Sequence, residues 1–290
     1  RSQRGNVMRH TEKELNEFAL RIRRGIVEAI EHKGGGHIGG SLDLAELLAA
    51  LYNEELRVRP EEPDWDGRDY LVCSKGHAGP AIYTALALKG FFPYERLYTL
   101  NRGGTTLPGH CDRTKVPGVD ATTGSLGQGL SISCGLSLGA KLSGSDQRTY
   151  CILGDGELAE GQNWEAAQFA AHYQLGNLIA FLDWNKMQID GSNDKVMKLG
   201  DAVAKFSSFG WNAVVVDGSD VIAIDHAIKQ AKEDTEKPHM IVLDTVKGAN
   251  ISCISSLPNN HCIGLPHQLA EQALKELDEQ EKRLEMEDAR

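Results

Sequence analysis

The chain has 290 residues, 41% of them apolar and 25% charged, with a formal net charge of −10. That length and balance suit one large domain with a substantial core rather than a disordered segment. The acidic surplus argues against non-specific nucleic-acid binding, which needs a basic face, and no apolar run nears the roughly 20 residues that a membrane span requires.

The opening stretch, RSQRGNVMRH, lacks the apolar core of a signal peptide. It is expected to be a tail over residues 1–10, with Met8 as the natural start and residues 1–7 an added leader. The 6 cysteines are scattered and form no Cys-x-x-Cys pair, which predicts reduced, mostly buried thiols in a cytoplasmic protein. Residues 11–32 place Leu15, Phe18, Ile22, Ile26 and Ile30 near helical spacing. That helix should end in HKGGGHIGG, where glycines at 34, 35, 36, 39 and 40 force a loop. Ser41 is then expected to cap a helix through Tyr52, with Leu42, Ala45, Leu48 and Leu51 on one side.

DYLVCS (69–74) reads as a strand, and the following KGHAGPAIYTALALKGFF as a loop and a helix. Residues 102–125 are rich in turn formers. A helix over 127–142, rich in small residues, precedes a regular alternation: strand 149–153, helix 160–173, strand 178–183, helix near 200–208, strand 212–216, helix 220–233 and strand 239–245. A charged helix over 265–288 closes the pattern. Strands of continuous apolar character alternating with helices predict an α/β fold, a doubly wound parallel sheet with helices on both faces.

The chemistry concentrates in GDGELAEGQNWEAAQFAAHYQLGNLIAFLDWNKMQIDG (154–191). Asp155 follows a strand directly, at the carboxyl end where α/β sheets bind ligands, and Gly154 and Gly156 let backbone come close to a ligand. Asn185 falls just past the next apolar strand. If those strands are parallel neighbours, a carboxylate and an amide oxygen face one crevice, as hard ligands for Mg²⁺ or Ca²⁺ shared with a diphosphate. His37, His77, His110 and His261 fall in glycine- or proline-rich loops, where imidazoles can bind sugar hydroxyls and move protons near neutral pH. A zinc site built from His110-Cys111 and His261-Cys262 is disfavoured, because adjacent side chains point apart and the spacing of zinc modules is absent.

Gly-Asp-Gly, 28 intervening residues and then Asn form the pattern of the thiamine diphosphate-binding motif. The chain resembles the N-terminal, diphosphate-binding half of transketolase over roughly residues 10–265, and most of all the split transketolases in which this half is its own polypeptide. GGHIGGSLDLAELL, CSKGHAGPAIY and LPGHCD resemble segments that carry active-site histidines, here His37, His77 and His110. ATTGSLGQGLS resembles the glycine loop against the cofactor, so Gly124 and Leu126 would contact it. TVKGANISCISSLPNNH resembles the late segment ending in a cofactor- and substrate-facing histidine, here His261. It departs from the family at Gly248-Ala249-Asn250, where Gly-Lys-Gly is usual, and at Asn260, where an aromatic residue is usual. Trp184 stands where the family often has a first asparagine.

The resemblance implies further roles. Glu160 would lie at the interface between the two cofactor-binding halves, helping to orient the glutamate that activates the aminopyrimidine; as a bare residue it reads as a first-turn carboxylate favoured by the helix dipole. Met187 would give a backbone carbonyl to the metal, Ile189 would pack on the cofactor, and Asp183 would stand nearby. The implied cofactors are thiamine diphosphate and Mg²⁺, with Ca²⁺ or Mn²⁺ able to substitute. The implied layout is a cofactor-binding domain over 11–265 and a terminal helix over 266–290.

With no second α/β domain after residue 265, the chain is expected to be inactive alone. It would complete its site with a C-terminal transketolase subunit carrying the pyrimidine-binding domain, as α₂β₂. The expected reaction is transfer of a two-carbon ketol unit from a ketose to an aldose, with pentose phosphates as default sugars and branched or sulfonated ketoses as the specialised alternative. The rival readings are a 2-oxoacid dehydrogenase α chain, a deoxyxylulose phosphate synthase and a non-catalytic scaffold protein.

Overall fold

The computed structural model describes residues 9–288, so the expected start at Met8 and the leader before it lie outside the described residues. The first helix, α1 (Glu12–Lys33), opens on a capping box between Thr11 and Glu14 and stops at Gly34, whose φ of 88° is the left-handed conformation a glycine adopts at a helix end. Its Leu15, Ile22, Ile26 and Ile30 are fully buried, as their spacing predicts.

Ser41 does not cap a helix. Its hydroxyl donates to the His37 carbonyl at 2.6 Å from inside a short helical turn, Gly39–Leu42. The turn starts early because Gly39 lets the backbone pass against the 260 loop; a Cβ there would sit 2.6 Å from the Asn260 carbonyl oxygen. Helix α2 follows (Ala45–Ala50) and widens into a π turn over Leu51–Glu55. Its Glu46 meets Arg23 of α1 in a buried ion pair.

Strand β1 (Tyr70–Cys73) leads to α3 (Gly79–Leu88). After a long run of turns come α4 (Gln128–Leu142), β2 (Thr149–Gly154), α5 (Gly161–His172), β3 (Leu178–Trp184), α6 (Ala202–Ser208), β4 (Asn212–Asp217), α7 (Val221–Ala231), β5 (His239–Asp244) and α8 (His267–Asp288). Asp201 caps α6 and Asp220 caps α7 through their carboxylates.

The five strands form one parallel sheet in the order β1-β2-β3-β5-β4. Alternate strand residues feed two separate cores. Tyr150, Ile152, Ile179, Phe181, Ile241 and Leu243 pack with α1, α2, α3 and α7, while Cys151, Leu153, Leu178, Ala180, Leu182 and Met240 pack with α4, α5 and α6. Both faces of the sheet are therefore covered along β2, β3 and β5, which is the doubly wound α/β architecture and explains their apolar centres, while the edge strand β4 leaves Val214 and Val215 exposed. The last helix, α8, lies on α1, burying Ala270, Ala273 and Leu277 and pairing Asp278 with Arg24 at 2.6 Å. Among the described residues, no helix is long and apolar enough to cross a membrane. All six cysteines are free thiols, and only Cys262 is exposed.

Candidate active site

The site lies at the carboxyl ends of β1, β2, β3 and β5. Strands β2 and β3 are parallel neighbours with Gly154 opposite Asp183, so Asp155 and Asn185 leave the sheet side by side. Asp155 is 3% exposed and accepts from the backbone N–H of Gly156 at 2.7 Å and of Lys186 at 2.6 Å, and from Asn193 Nδ2 at 2.8 Å. Burial, and then the nearby Asp183, push its carboxyl up to about 6. Neither Gly154 nor Gly156 has a positive φ. Their value is room, since a Cβ on Gly156 would press on Gln188 Cγ at 3.0 Å.

Asn185 is buried and its amide is fully engaged: Nδ2 donates to Asp183 Oδ2 at 2.9 Å and to Asp43 Oδ2 at 3.1 Å, and Oδ1 accepts from Met187 N at 3.1 Å. The Met187 carbonyl accepts from the Lys247 ammonium at 3.2 Å, so a cationic group already stands at that oxygen. A carboxylate, an amide oxygen and a carbonyl are the hard donors that Mg²⁺ prefers. Among the described residues no three His, Cys, Asp or Glu side chains converge to hold a metal by themselves. The donor set fits a dication that keeps part of its shell for an anionic ligand.

Asp155 and Asn185 open onto a cleft of ≈ 350 Å³. His37, His77, His110 and His261, from four separate loops, line it. The His37 ring centroid lies 5.3 Å from that of His77, 5.5 Å from His110 and 5.2 Å from His261, and His77 and His261 are 4.9 Å apart. Burial, reinforced by Lys75 and by the other rings, lowers His77 to about 2. Burial and Lys247 lower His261 to about 4, and burial and His110 lower His37. These three rings are neutral near pH 7, as groups that accept or relay protons must be.

Gly124, Leu126, Gly154, Gly156, Met187 and Ile189 also line the cleft. Gly124 has φ 142° and touches His110, whose Cδ2 would lie 3.0 Å from a Cβ there. Ile189 is 60% exposed on the rim. Glu160 stands apart. It occupies the cap position of α5 without any side-chain cap hydrogen bond, it is exposed, and it backs onto Gly127 rather than the cleft.

Four cleft-region residues were not legible from the sequence. Lys75 is 1% exposed; its ammonium donates to Asp183 at 2.5 Å and to the Gly40 carbonyl at 2.7 Å. Lys247 is buried and reaches His261 Nδ1 at 3.1 Å. Asp43 is buried behind Asn185, and Glu157 gathers donors from Ser74, Gly127 and Gly154. Lysines and acids in loops ordinarily read as solvated surface; only the partners reveal them as interior.

Residues 15–278 match the family model described as transketolase, thiamine diphosphate binding domain. The chain is 46% identical over 267 residues to a 6-deoxy-6-sulfo-D-fructose transketolase subunit of Clostridium sp. (strain MSTE9), covering 92% of this chain and 97% of that one. It is 36% identical over 266 residues to an apulose-4-phosphate transketolase subunit of Phocaeicola vulgatus, covering 91% and 94%. Among solved structures, a Pichia stipitis transketolase in complex with sedoheptulose-7-phosphate superposes with a TM-score of 0.81 at 32% identity, over 95% of this chain. The chain spans 45% of the length of that transketolase.

Proposed function

The chain belongs to the transketolase family, matching it through the thiamine diphosphate-binding domain, and from that premise we propose that it is the cofactor-binding subunit of a two-chain transketolase. The reaction is reversible transfer of a two-carbon ketol group from a ketose to an aldose. The observation that supports this most is the meeting of Asp155 and Asn185, from neighbouring parallel strands, with four histidines around one cleft.

When bound, thiamine diphosphate supplies the carbon nucleophile and the sink for the carbanion. This chain's residues do the rest of the proposed work. Asp155, Asn185 Oδ1 and the Met187 carbonyl would hold Mg²⁺, for which Ca²⁺ or Mn²⁺ could substitute, beside the diphosphate. Gly154, Gly156, Gly124, Leu126 and Ile189 shape the walls on the cofactor. The neutral rings of His37 and His77, with His110 beside them, accept and return hydroxyl protons. His261 Nδ1 faces the Lys247 ammonium, which leaves its Nε2–H as the donor to a substrate or phosphate oxygen. Glu160 would meet the partner chain rather than the substrate; its exposure beside Gly127, away from the cleft, supports that role.

The partner is a C-terminal subunit carrying the pyrimidine-binding domain, in an α₂β₂ assembly. The subunit names of relatives that match this chain over 94–97% of their own length support a separate partner. The cofactor-binding domain is residues 11–265, with helix 266–290 appended. A cytoplasmic setting fits the free thiols. As a second reading of the donor, a sulfonated ketose comes ahead of the pentose phosphates, because the relative at 46% identity is named for one.

The test is isothermal titration of thiamine diphosphate with Mg²⁺ into this chain, with and without the partner, followed by a ketol-transfer assay on xylulose 5-phosphate and 6-deoxy-6-sulfo-D-fructose. Metal-dependent binding in the mixture, with transfer from either ketose, supports the proposal. Strong transfer by the chain alone would overturn the two-chain reading, and no cofactor binding in either case would overturn the whole.

A further inference from the structure

Asp43 follows the short helical turn Gly39–Leu42, six residues after His37, and is 2% exposed. Its two oxygens serve different parts of the site. Oδ1 accepts the backbone N–H of Gly248 at 2.7 Å and of Ala249 at 3.4 Å. Oδ2 accepts one hydrogen of the Asn185 amide at 3.1 Å, and the other hydrogen goes to Asp183 Oδ2 at 2.9 Å.

A primary amide carries two donor hydrogens on nitrogen and only acceptor capacity on oxygen. With both hydrogens committed to buried carboxylates, the amide cannot flip. Flipping would turn Oδ1 against two carboxylates and leave the hydrogens facing the cleft. Asn185 Oδ1, which also accepts the Met187 N–H at 3.1 Å, is thus the atom held away from the two carboxylates, with a second lone pair for a cation.

The same carboxylate holds the loop after β5. Gly248, at φ 80°, directly follows Lys247, whose ammonium touches both the Met187 carbonyl and His261 Nδ1. We infer that Asp43 is a positioning residue: it locks the Asn185 amide with Oδ1 toward the metal and ties that amide to the Lys247 loop, so that cation affinity and the seating of His261 are set together. This rests on the proposed metal-dependent function and adds to it a residue that never touches metal, cofactor or sugar.

The test measures Mn²⁺ binding by loss of the free-ion electron paramagnetic resonance signal, in the complex with the partner chain and thiamine diphosphate. Asp43→Asn replaces one acceptor with a donor that faces either the Asn185 amide hydrogens or the Gly248 N–H. The Mn²⁺ dissociation constant is expected to rise about 10- to 100-fold, as for other residues that orient metal ligands. Asn185→Asp alone sets a third carboxylate against Asp43 and Asp183 and is expected to weaken binding as well. The double variant Asp43→Asn/Asn185→Asp restores the donor–acceptor pair at position 43 while leaving Asn185→Asp against Asp183, and is expected to bind Mn²⁺ more tightly than Asn185→Asp alone, which a merely structural role for Asp43 would not produce. Circular dichroism confirms that each variant is folded; should Asp43→Asn not fold, Asp43→Ser, which is too short for either contact, serves in its place.

Binding by a folded Asp43 variant within about twofold of wild type overturns the inference, as does a double variant that binds no more tightly than Asn185→Asp alone. Failure of the wild-type complex to bind Mn²⁺ at all overturns the proposed function and this inference with it. The wild-type titration therefore tells the two failures apart.

Discussion

Replacing Lys75 by methionine tests the buried charge network most directly. The lysine and Asp183 are 2% and 0% exposed in their side chains and meet at 2.5 Å, and the Lys75 ammonium also satisfies the Gly40 carbonyl at 2.7 Å. Methionine fills similar volume and removes only the charge and its donors. Asp183 would keep Thr245 Oγ1 at 2.7 Å and Asn185 Nδ2 at 2.9 Å, but Asp43 and Asp183 would then share one amide with no cation near them except Lys247. Breaking one partner of a buried ion pair costs about 3–5 kcal/mol. With a urea m-value of roughly 3 kcal/mol/M, the unfolding midpoint should fall by about 1–2 M.

The deficit should also depend on pH, with a sign that follows from the geometry. Burial, and then Asp183, already hold the Asp43 carboxyl above its ordinary value, and without the lysine it rises further. A proton therefore stabilises the folded state, and the loss should shrink as pH falls from 8 toward 5. In Lys75→Met/Asp183→Asn no charge is stranded, and at least about 1–2 kcal/mol should return at pH 8. Urea melts of wild type, single and double variants at pH 8 and pH 5 decide the matter. A loss under about 1 kcal/mol, or a double variant as unstable as the single, would refute the view that a stranded buried charge is what matters here.

Three further outcomes are expected. Asp155→Ala should abolish metal-dependent thiamine diphosphate binding by calorimetry in the complex with the partner chain; binding at wild-type strength would remove Asp155 from the metal site. His77, lowered to about 2, binds its proton after the unfolded chain does, so its contribution to stability is full above pH 6.5 and is lost as pH falls below it. Asp155 and Asp120, raised to about 6, act in the opposite sense and favour the folded state as pH falls from 6 toward 3.8. His77→Gln should therefore lose less melting temperature than wild type between pH 7.5 and pH 4.5; equal losses would contradict the burial argument. Gly129→Ala puts a Cβ 2.3 Å from Ser74 Oγ and should destabilise by about 1–3 kcal/mol in a chemical melt, a neutral result showing that β1 and α4 can separate at little cost.

The frame of the molecule was readable from periodicity because strands buried on both faces are apolar throughout, and 149–153, 178–183 and 239–245 could hardly be anything else. Asp155 and Asn185 were readable because position after a strand fixes direction at the end of a parallel sheet. The capping role given to Ser41 failed because a tertiary contact, the close approach of Gly39 to Asn260, starts the helical turn before the serine. Asp43, Lys75 and Lys247 stayed hidden for a related reason. Each is held by partners far away in sequence, Asp43 by Asn185 and Gly248 and Lys75 by Asp183, and no local pattern distinguishes such a residue from one in solvent.

Glu157 has a consequence for how the cleft fluctuates. Its carboxylate, 2% exposed, accepts from Ser74 Oγ, from Gly127 N at 2.8 Å and from Gly154 N at 3.0 Å, while Ser74 Oγ in turn accepts from Gly129 N at 3.1 Å. The amides of three glycines in two distant segments therefore end on one anchor. Releasing Gly154 strands the buried Oε2, and releasing Gly127 or Gly129 leaves Oε1 or the Ser74 hydroxyl one partner short, so an opening at any of them weakens the shared anchor. In a hydrogen-exchange experiment these amides should behave as a single cooperative unit, slow together and fast together. One wall of the cleft is then either shut or wholly undone, a two-state latch rather than a set of independently breathing loops.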